Sequence, residues 1–320
     1  MDPLVLITHT LPSEWMSALN GRVRAVTGPL DATRLAPELE AYLAEADGLF
    51  CLLTIPVRKE LLDRMPRLRV VSNMAVGVDN VDVAECTRRG IPVGNTPGVL
   101  TDATADLTMS LLLAAARRLP ESARDAREGR WLTWSPAGWL GADLRGATLG
   151  IVGMGKIGRA VAERARGFGM KIVYTDNGPC SDAPGEFLGL DDLLRTSDIV
   201  SLHCPLTPQT RGLINESALQ KMKPTAILVN AARGPVVDTA ALTRALSRGQ
   251  IGGVALDVTD PEPLPPDHPL YQLPNCFIVP HIGSATHGTR RKMAEMACKN
   301  LLAGLDGKRL PFCVNPEVFQ

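Results

Sequence analysis

The sequence has no excess charge of either sign. Lys+Arg and Asp+Glu both count 34, and the net charge is zero. Nothing therefore draws the chain to nucleic acid or to an anionic membrane, and neither is expected as a partner. Long apolar runs are also missing. The longest, Leu111–Ala116, is far too short to span a bilayer. The start, Met1–Thr8, lacks a basic region and reads as a first strand, not a signal peptide. The seven Cys are scattered, odd in number and without a Cys-x-x-Cys pair. This argues against a disulfide framework and for reduced thiols in a cytoplasmic setting, with Cys204 and Cys276 as small core residues. No His/Cys spacing suits zinc, so no metal is expected. Repeats and low-complexity tracts are absent, and 320 residues suffice for two domains.

What is present is concentrated in Leu149–Asp176. A short apolar strand, Leu149–Val152, runs into Gly153-x-Gly155-x-x-Gly158. A helix follows with Ile157, Val161, Ala165 and Phe168 on one face, and then a second strand, Lys171–Thr175, ending at Asp176. This β-α-β unit carries a dinucleotide fingerprint in its first turn. Gly153 allows the tight turn, Gly155 lets the backbone approach a pyrophosphate, and Gly158 lets helix and strand pack closely. The helix N-terminus offers N–H groups and a partial positive charge to the phosphates. Asp176, 18 residues past Gly158, can accept hydrogen bonds from ribose hydroxyls and would repel a 2′-phosphate. NAD(H) is therefore expected over NADP(H).

The first hundred residues alternate short β-rich runs (4–8, 23–26, 48–52, 69–73, 91–93) with amphipathic stretches (13–19, 36–46, 58–65, 81–89). This predicts an α/β domain with a mostly parallel sheet. Its unusual segment is Ala75–Asn80, where Val76 and Gly77 could present amides to an anion such as a substrate carboxylate. An ordinary βα turn is the plainer alternative. Thr96-Pro97-Gly98 marks a turn. A long apolar helix from Thr101 to about Arg118 follows, expected to be buried on several sides, with a second subunit able to supply part of that burial. Residues 120–144 have weak periodicity and three Trp (Trp131, Trp134, Trp139). They read as an arm for wrapping a partner chain, with Trp139 a candidate to reach a neighbouring active site, or as simple surface anchors. Further strands at 199–203, 226–230, 253–256 and 277–279, with helices at 190–195, 216–221 and 239–247, predict a doubly wound sheet of about six strands. The final helix, about 289–305, is expected to return to the first domain. That makes the first domain discontinuous (1–98 plus 288–320) around a nucleotide domain (99–287).

Ligands of open parallel sheets bind outside the carboxyl ends of the strands. Arg233, Asp257 and His281 follow three such ends, and Glu262 lies in the Pro-rich loop after Asp257. An Arg, a Glu and a His beside a nicotinamide suggest carbonyl reduction. His can give the proton that the developing alkoxide needs, and a neighbouring carboxylate stabilises the imidazolium until it does. Arg233 can bind a carboxylate bidentately and polarise the adjacent carbonyl, so a 2-keto acid is expected. Each residue alone could be structural or exposed. His203, His268 and His287 lack matched partners, although His203 precedes Cys204-Pro205, a plausible wall for an adenine.

Over essentially its whole length the chain resembles the D-isomer-specific 2-hydroxyacid dehydrogenases. The motifs that carry this are Gly153–Gly158, Asn230–Asp238, Leu256–Leu264 and Pro280–Thr286. Residues Asn95–Asp106 and His281–His287 are most similar to the glyoxylate/hydroxypyruvate reductase branch. The resemblance implies a flavodoxin-like substrate domain with an inserted Rossmann-type nucleotide domain. It implies a catalytic set of Arg233, Glu262 and His281, with His281 as acid/base, and substrate carboxylate contacts from the Val76 and Gly77 amides. It also implies nicotinamide contacts from Asp257, Ala231 and the His281–Ser284 turn, and a homodimer joined through the nucleotide domains. The full set expected to face the cofactor is Thr104, Gly153, Gly155, Lys156, Ile157, Gly158, Asp176, Cys204, Pro205, Ala231, Ala232, Arg233, Asp257, His281, Gly283 and Ser284. Some members of the branch carry a basic residue where this chain has Asp176 and use NADPH. Rival substrates within the family are 2-ketogluconate, D-lactate, phosphoglycerate and phosphite, and a co-repressor that binds NAD(H) is a rival of a different class. A formate dehydrogenase would carry Gln in place of Glu262.

Overall fold

The computed structural model describes residues 2–320, which divide into two compact units: residues up to Leu100 together with Ala285–Gln320, and Thr101–Ser284. In the first unit the strands are β1 (Leu4–Ile7), β2 (Arg24–Thr27), β3 (Gly48–Cys51), β4 (Val70–Asn73) and β5 (Val93–Gly94). Between them lie short helices α1 (Pro37–Glu40), α2 (Lys59–Asp63) and α3 (Val83–Arg88). All strands run parallel in the order β2-β1-β3-β4-β5, the flavodoxin-like order. Leu6, Leu49, Val71 and Val93 face a buried cluster completed by Leu39, Leu62 and Cys86 from the short helices. The expected helix at 13–19 is instead two 3₁₀ turns, Ser13–Trp15 and Ser17–Leu19. Only Leu19 among these residues is buried, so a longer helix would have no apolar face to bury.

The opposite face of this sheet is covered by the last helix of the chain, His287–Leu305. A Cβ at Gly304 would stand 2.5 Å from the Val70 side chain, and Ser72 donates to the Ala297 carbonyl at 2.7 Å. The helix starts two residues before the expected Thr289. Thr286 caps it there, its hydroxyl accepting from the Thr289 amide at 3.2 Å.

The second unit comprises α4 (Thr101–Ala116), α5 (Leu119–Arg127), β6 (Thr148–Val152), α6 (Lys156–Gly167), β7 (Lys171–Thr175), β8 (Glu186–Phe187), α7 (Leu190–Thr196), β9 (Ile199–Leu202), α8 (Glu216–Lys221), β10 (Ile227–Asn230), α9 (Thr239–Ser247), β11 (Gly253–Leu256) and β12 (Cys276–Ile278). The last helix is accordingly α10. The seven strands are all parallel, in the order β12-β11-β10-β9-β6-β7-β8. The order reverses between β6 and β9, which is where such sheets bind dinucleotides. Side chains alternate faces along each strand, and both faces are buried. Leu149, Ile151, Ile227, Val229 and Ala255 pack against α4 and α6, whereas Val152, Leu228, Val254 and Leu256 pack against α7, α8 and α9.

Two elements differ from the sequence reading. The sheet has seven strands, not about six, because the two-residue β8 pairs with β7 at Val173 and Tyr174. So short a run carries no period. Residues 119–127, read as part of an irregular arm, form α5. No residue of α5 is buried and ion pairs such as Arg118 with Glu121 line it, so the helix is marked by charge and not by a run of core residues.

Candidate active site

The nucleotide-facing end of the second unit is built by three glycines with three separate jobs. Gly153 has φ +97°, and a Cβ there would lie 2.6 Å from the Cys204 amide nitrogen. At Gly158 a Cβ would lie 2.2 Å from the Gly153 carbonyl oxygen. A Cβ at Gly155 meets nothing of the protein within 4 Å, and its φ is an ordinary −72°. The fold thus requires the first and third glycines, while the second is spared only for something outside the chain. Gly155 is also the N-cap of α6, and having no side chain it leaves the first-turn amides uncapped. Lys156 is exposed and Ile157 half-buried on that turn. This cradle fits the pyrophosphate of a dinucleotide.

Asp176, just past β7, reaches back to the same loop. Its Oδ2 accepts from the Met154 amide at 2.7 Å and its Oδ1 from the Asn177 amide at 2.7 Å. Beyond β9, Cys204 is buried and Pro205 exposed. Burial pushes the Cys204 thiol up to about 11, with the Asp176 charge adding to the shift. His203 shares a 2.8 Å hydrogen bond with Ser201 through Nε2, while its Nδ1 is buried without a partner among the described residues. Desolvation lowers its pKa to about 4.

The catalytic candidates stand at the carboxyl ends of β10, β11 and β12. Arg233 leaves β10 in extended conformation (φ −143°), half-buried, and its Nη1 donates to the Ala232 carbonyl at 2.8 Å. Ala231 and Ala232 lie beside it on the same loop. Asp257, 2% exposed, follows β11. Its two oxygens accept from the Ile282 amide at 2.6 Å and the Gly283 amide at 2.9 Å, while burial raises its pKa despite these bonds. A Cβ at Gly283 would stand 3.0 Å from that carboxylate and 3.4 Å from the Thr104 side chain, so Thr104 on α4 borders the same turn, which ends at half-buried Ser284.

His281 sits in the left-handed region at φ +51°, rare for a residue with a side chain. Its amide donates to the carbonyls of Asp257 (2.9 Å) and Val279 (3.1 Å), which holds it there. The ring then meets Glu262: Nδ1 lies 2.6 Å from Oε1, with both side chains only partly exposed (25% and 35%). Glu262 is itself steadied, its Oε2 accepting from the Thr259 amide at 3.3 Å. With Nδ1 engaged, Nε2 is the nitrogen left for a substrate.

In the first unit, Val76 and Gly77 are half-buried in the loop after β4. Their carbonyls are held by side-chain amides, Val76 by Asn95 (2.9 Å) and Gly77 by Asn73 (2.9 Å). Their own amides donate to no acceptor among the described residues. Asn95 and Asn230 open two of the motifs quoted from the sequence, but the sequence assigns no role to their side chains or to that of Asn73. Their position next to loop residues of the site is the only signal that could have found them. His268 accepts from the Leu270 amide at 3.2 Å as a cap, and His287 is exposed at the start of α10. Among the described residues, no group of three His, Cys, Asp or Glu could hold a metal ion, and no helix is long and apolar enough to cross a membrane.

An open sheet reversing beside a glycine cradle, with a His–carboxylate pair at its rim, defines a nicotinamide-dependent oxidoreductase. The family profile described as "D-isomer specific 2-hydroxyacid dehydrogenase, NAD binding domain" matches residues 109–283. The chain is 47% identical to a glyoxylate reductase of Korarchaeum cryptofilum across 99% of its own length and 97% of that protein. A solved structure from Thermus thermophilus superposes with a TM-score of 0.92 at 50% identity, over 97% of this chain and 99% of that one. An NADPH-dependent glyoxylate/hydroxypyruvate reductase from Sinorhizobium meliloti, solved with NADP and malonate, gives 0.85 at 31% identity, over 99% and 98%. The chain belongs to the D-isomer-specific 2-hydroxyacid dehydrogenase family.

Proposed function

We propose that the protein reduces glyoxylate and hydroxypyruvate to glycolate and D-glycerate with NADH, with His281 as the acid/base. The observation that carries this reading is the 2.6 Å contact of His281 Nδ1 with Glu262 Oε1 at the strand-end rim that also carries Arg233. The names of the Korarchaeum and Sinorhizobium relatives support the substrates.

The bound nicotinamide supplies the hydride. Arg233 binds the substrate carboxylate and draws electron density from the neighbouring carbonyl. The Val76 and Gly77 amides are the second set of donors for that carboxylate. Glu262 fixes the ring of His281 with its proton on Nδ1 and stabilises the imidazolium, and Nε2 releases its proton to the alkoxide oxygen. In the reverse direction the neutral Nε2 takes the proton back.

NADH is the cofactor this reading favours, because the carboxylate of Asp176 follows β7 beside the glycine loop and would repel a 2′-phosphate brought there. Its grip on the Met154 amide ties that preference to the phosphate loop. The cofactor contacts comprise the three glycines, the first turn of α6, Cys204 and Pro205, the Ala231–Arg233 loop, Asp257, Thr104 and the His281–Ser284 turn. The apolar arm after α5 supports a homodimer. Trp131, Leu132, Trp134 and Leu140 are 65%, 91%, 80% and 65% exposed, large apolar side chains that a partner chain would cover. Trp139 does not join them: its Nε1 donates to Asp125 at 2.8 Å, so its indole is held by its own arm.

The test is NADH oxidation with glyoxylate, hydroxypyruvate, pyruvate and 2-ketogluconate. Turnover of the first two at the highest kcat/KM is expected. Preference for either of the others would overturn the substrate assignment, and tight NADH binding without any turnover would overturn the enzymatic one.

A further inference from the structure

We infer that Asn230 is a positioning residue for Arg233, acting on substrate carboxylate recognition through the backbone of the Ala231–Arg233 loop. The inference rests on the reading of Arg233 as the carboxylate anchor. Asn230 is the last residue of β10, is 1% exposed, and is not expected to touch the substrate. Its side chain closes the loop from both sides. Oδ1 accepts from the Ala232 amide at 3.0 Å, and Nδ2 donates to the Arg233 carbonyl at 2.9 Å. Its backbone carbonyl meanwhile accepts from the Asp257 amide at 2.9 Å, which ties the loop to the next strand end.

The consequence reaches the guanidinium. Arg233 Nη1 rests on the Ala232 carbonyl at 2.8 Å, and that carbonyl belongs to the residue whose amide Asn230 holds. The loop has little other freedom. A Cβ at the next residue, Gly234, would lie 1.8 Å from the Thr259 carbonyl oxygen, so the chain is pressed against the segment that leads to Glu262. An amide suits the place because it offers one acceptor and one donor to two backbone groups of opposite sense. A carboxylate would satisfy the first and confront the Arg233 carbonyl with a second acceptor. A small apolar residue would satisfy neither and leave both groups unpaired.

The experiment measures NADH affinity, and oxamate affinity in the presence of NADH, for wild type, Asn230→Ala, Asn230→Asp, Arg233→Gln and the double variant Asn230→Ala/Arg233→Gln. Asn230→Ala is expected to weaken oxamate about tenfold or more while NADH affinity stays within about twofold, because a displaced guanidinium loses its bidentate geometry. Asn230→Asp should fall between it and wild type. In the Arg233→Gln background, adding Asn230→Ala should cost less than about twofold further, since both changes remove the same interaction. Additive losses, an equal loss of NADH affinity, unchanged oxamate binding in Asn230→Ala, or failure of both Asn230 variants to fold cooperatively would each overturn the inference. If Arg233→Gln itself leaves oxamate binding unchanged, the anchor reading falls instead, and the two failures are told apart.

Discussion

The carboxyl edge of the five-stranded sheet and that of the seven-stranded sheet solve the same problem with different chemistry. On the first, the loop after β4 is held by neutral amides: Asn73 and Asn95 bond the carbonyls of Gly77 and Val76. Asn73 also pairs with buried Asn80, which spans to the carbonyls of Leu52 and Ile55. What this edge exposes is backbone N–H. On the second, carboxylates do the holding. Asp176 grips the phosphate loop, Asp257 the His281 turn, and Glu262 the imidazole. The asparagines that hold this loop carry no charge of their own, although exposed Asp79 lies in the same loop. A charged scaffold suits the proton transfer and cofactor preference proposed for the second edge.

The largest effect should come from removing His281, the proposed proton donor. His281→Gln is expected to lower kcat by about 10²–10⁴-fold with NADH affinity retained. Full activity in that variant would break the assignment of proton transfer to the second edge. Glu262→Gln leaves the ring in place but removes the charge beside it. A smaller loss, roughly ten- to a hundredfold in kcat, is expected in steady-state assays with little change in KM. A pure KM effect would instead place Glu262 in substrate binding.

Next in size are the two outer glycines of the fingerprint compared with the middle one. Gly158→Ala drives a Cβ to 2.2 Å from the Gly153 carbonyl oxygen and should lower Tm markedly. Gly155→Ala meets no protein atom. Its Tm without cofactor should match wild type while NADH binding weakens by about an order of magnitude, for want of close backbone approach. Unimpaired NADH binding in Gly155→Ala would move the pyrophosphate elsewhere. Asp176→Ser should shift the ratio of kcat/KM for NADH over NADPH toward NADPH by about tenfold, a charge-repulsion effect of about 1.4 kcal/mol. An unchanged ratio would leave Asp176 as a loop tether only.

The fingerprint, the strand ends and the residues Arg233, Glu262 and His281 that follow them were legible in the sequence because each is a local pattern: a glycine spacing, a residue type at the end of an apolar run. The parallel order of the strands followed from alternation of strand and helix. Four features were not legible. The two-residue β8 is too short to show a period, and α5 is rich in charge and buries no residue. The left-handed φ of His281 arises from bonds to Asp257 and Val279 that only the folded sheet brings together. The asparagine latches are invisible for the same reason: Asn95 and Val76 are 19 residues apart in sequence and 2.9 Å apart in the fold.

The smallest expected effect tests a residue that neither edge uses in the chemistry. His203 closes β9 with Nδ1 buried and unpartnered among the described residues, and desolvation holds its pKa at about 4, below the ordinary 6.5. Between those values the unfolded chain binds a proton that the folded chain refuses. Stability contributed by the neutral ring is therefore complete above pH 6.5 and is lost as the pH falls toward 4. From pH 6.5 to 5 the loss should be about 1–2 kcal/mol, which at this chain length is roughly 2–8 °C in Tm. Gln keeps a polar group within reach of Ser201 but does not titrate, so His203→Gln should show a shallower fall in Tm than wild type over the same interval. Parallel curves for the two proteins would mean that His203 opens to solvent before it protonates. The end of β9 would then be a looser wall than its burial indicates.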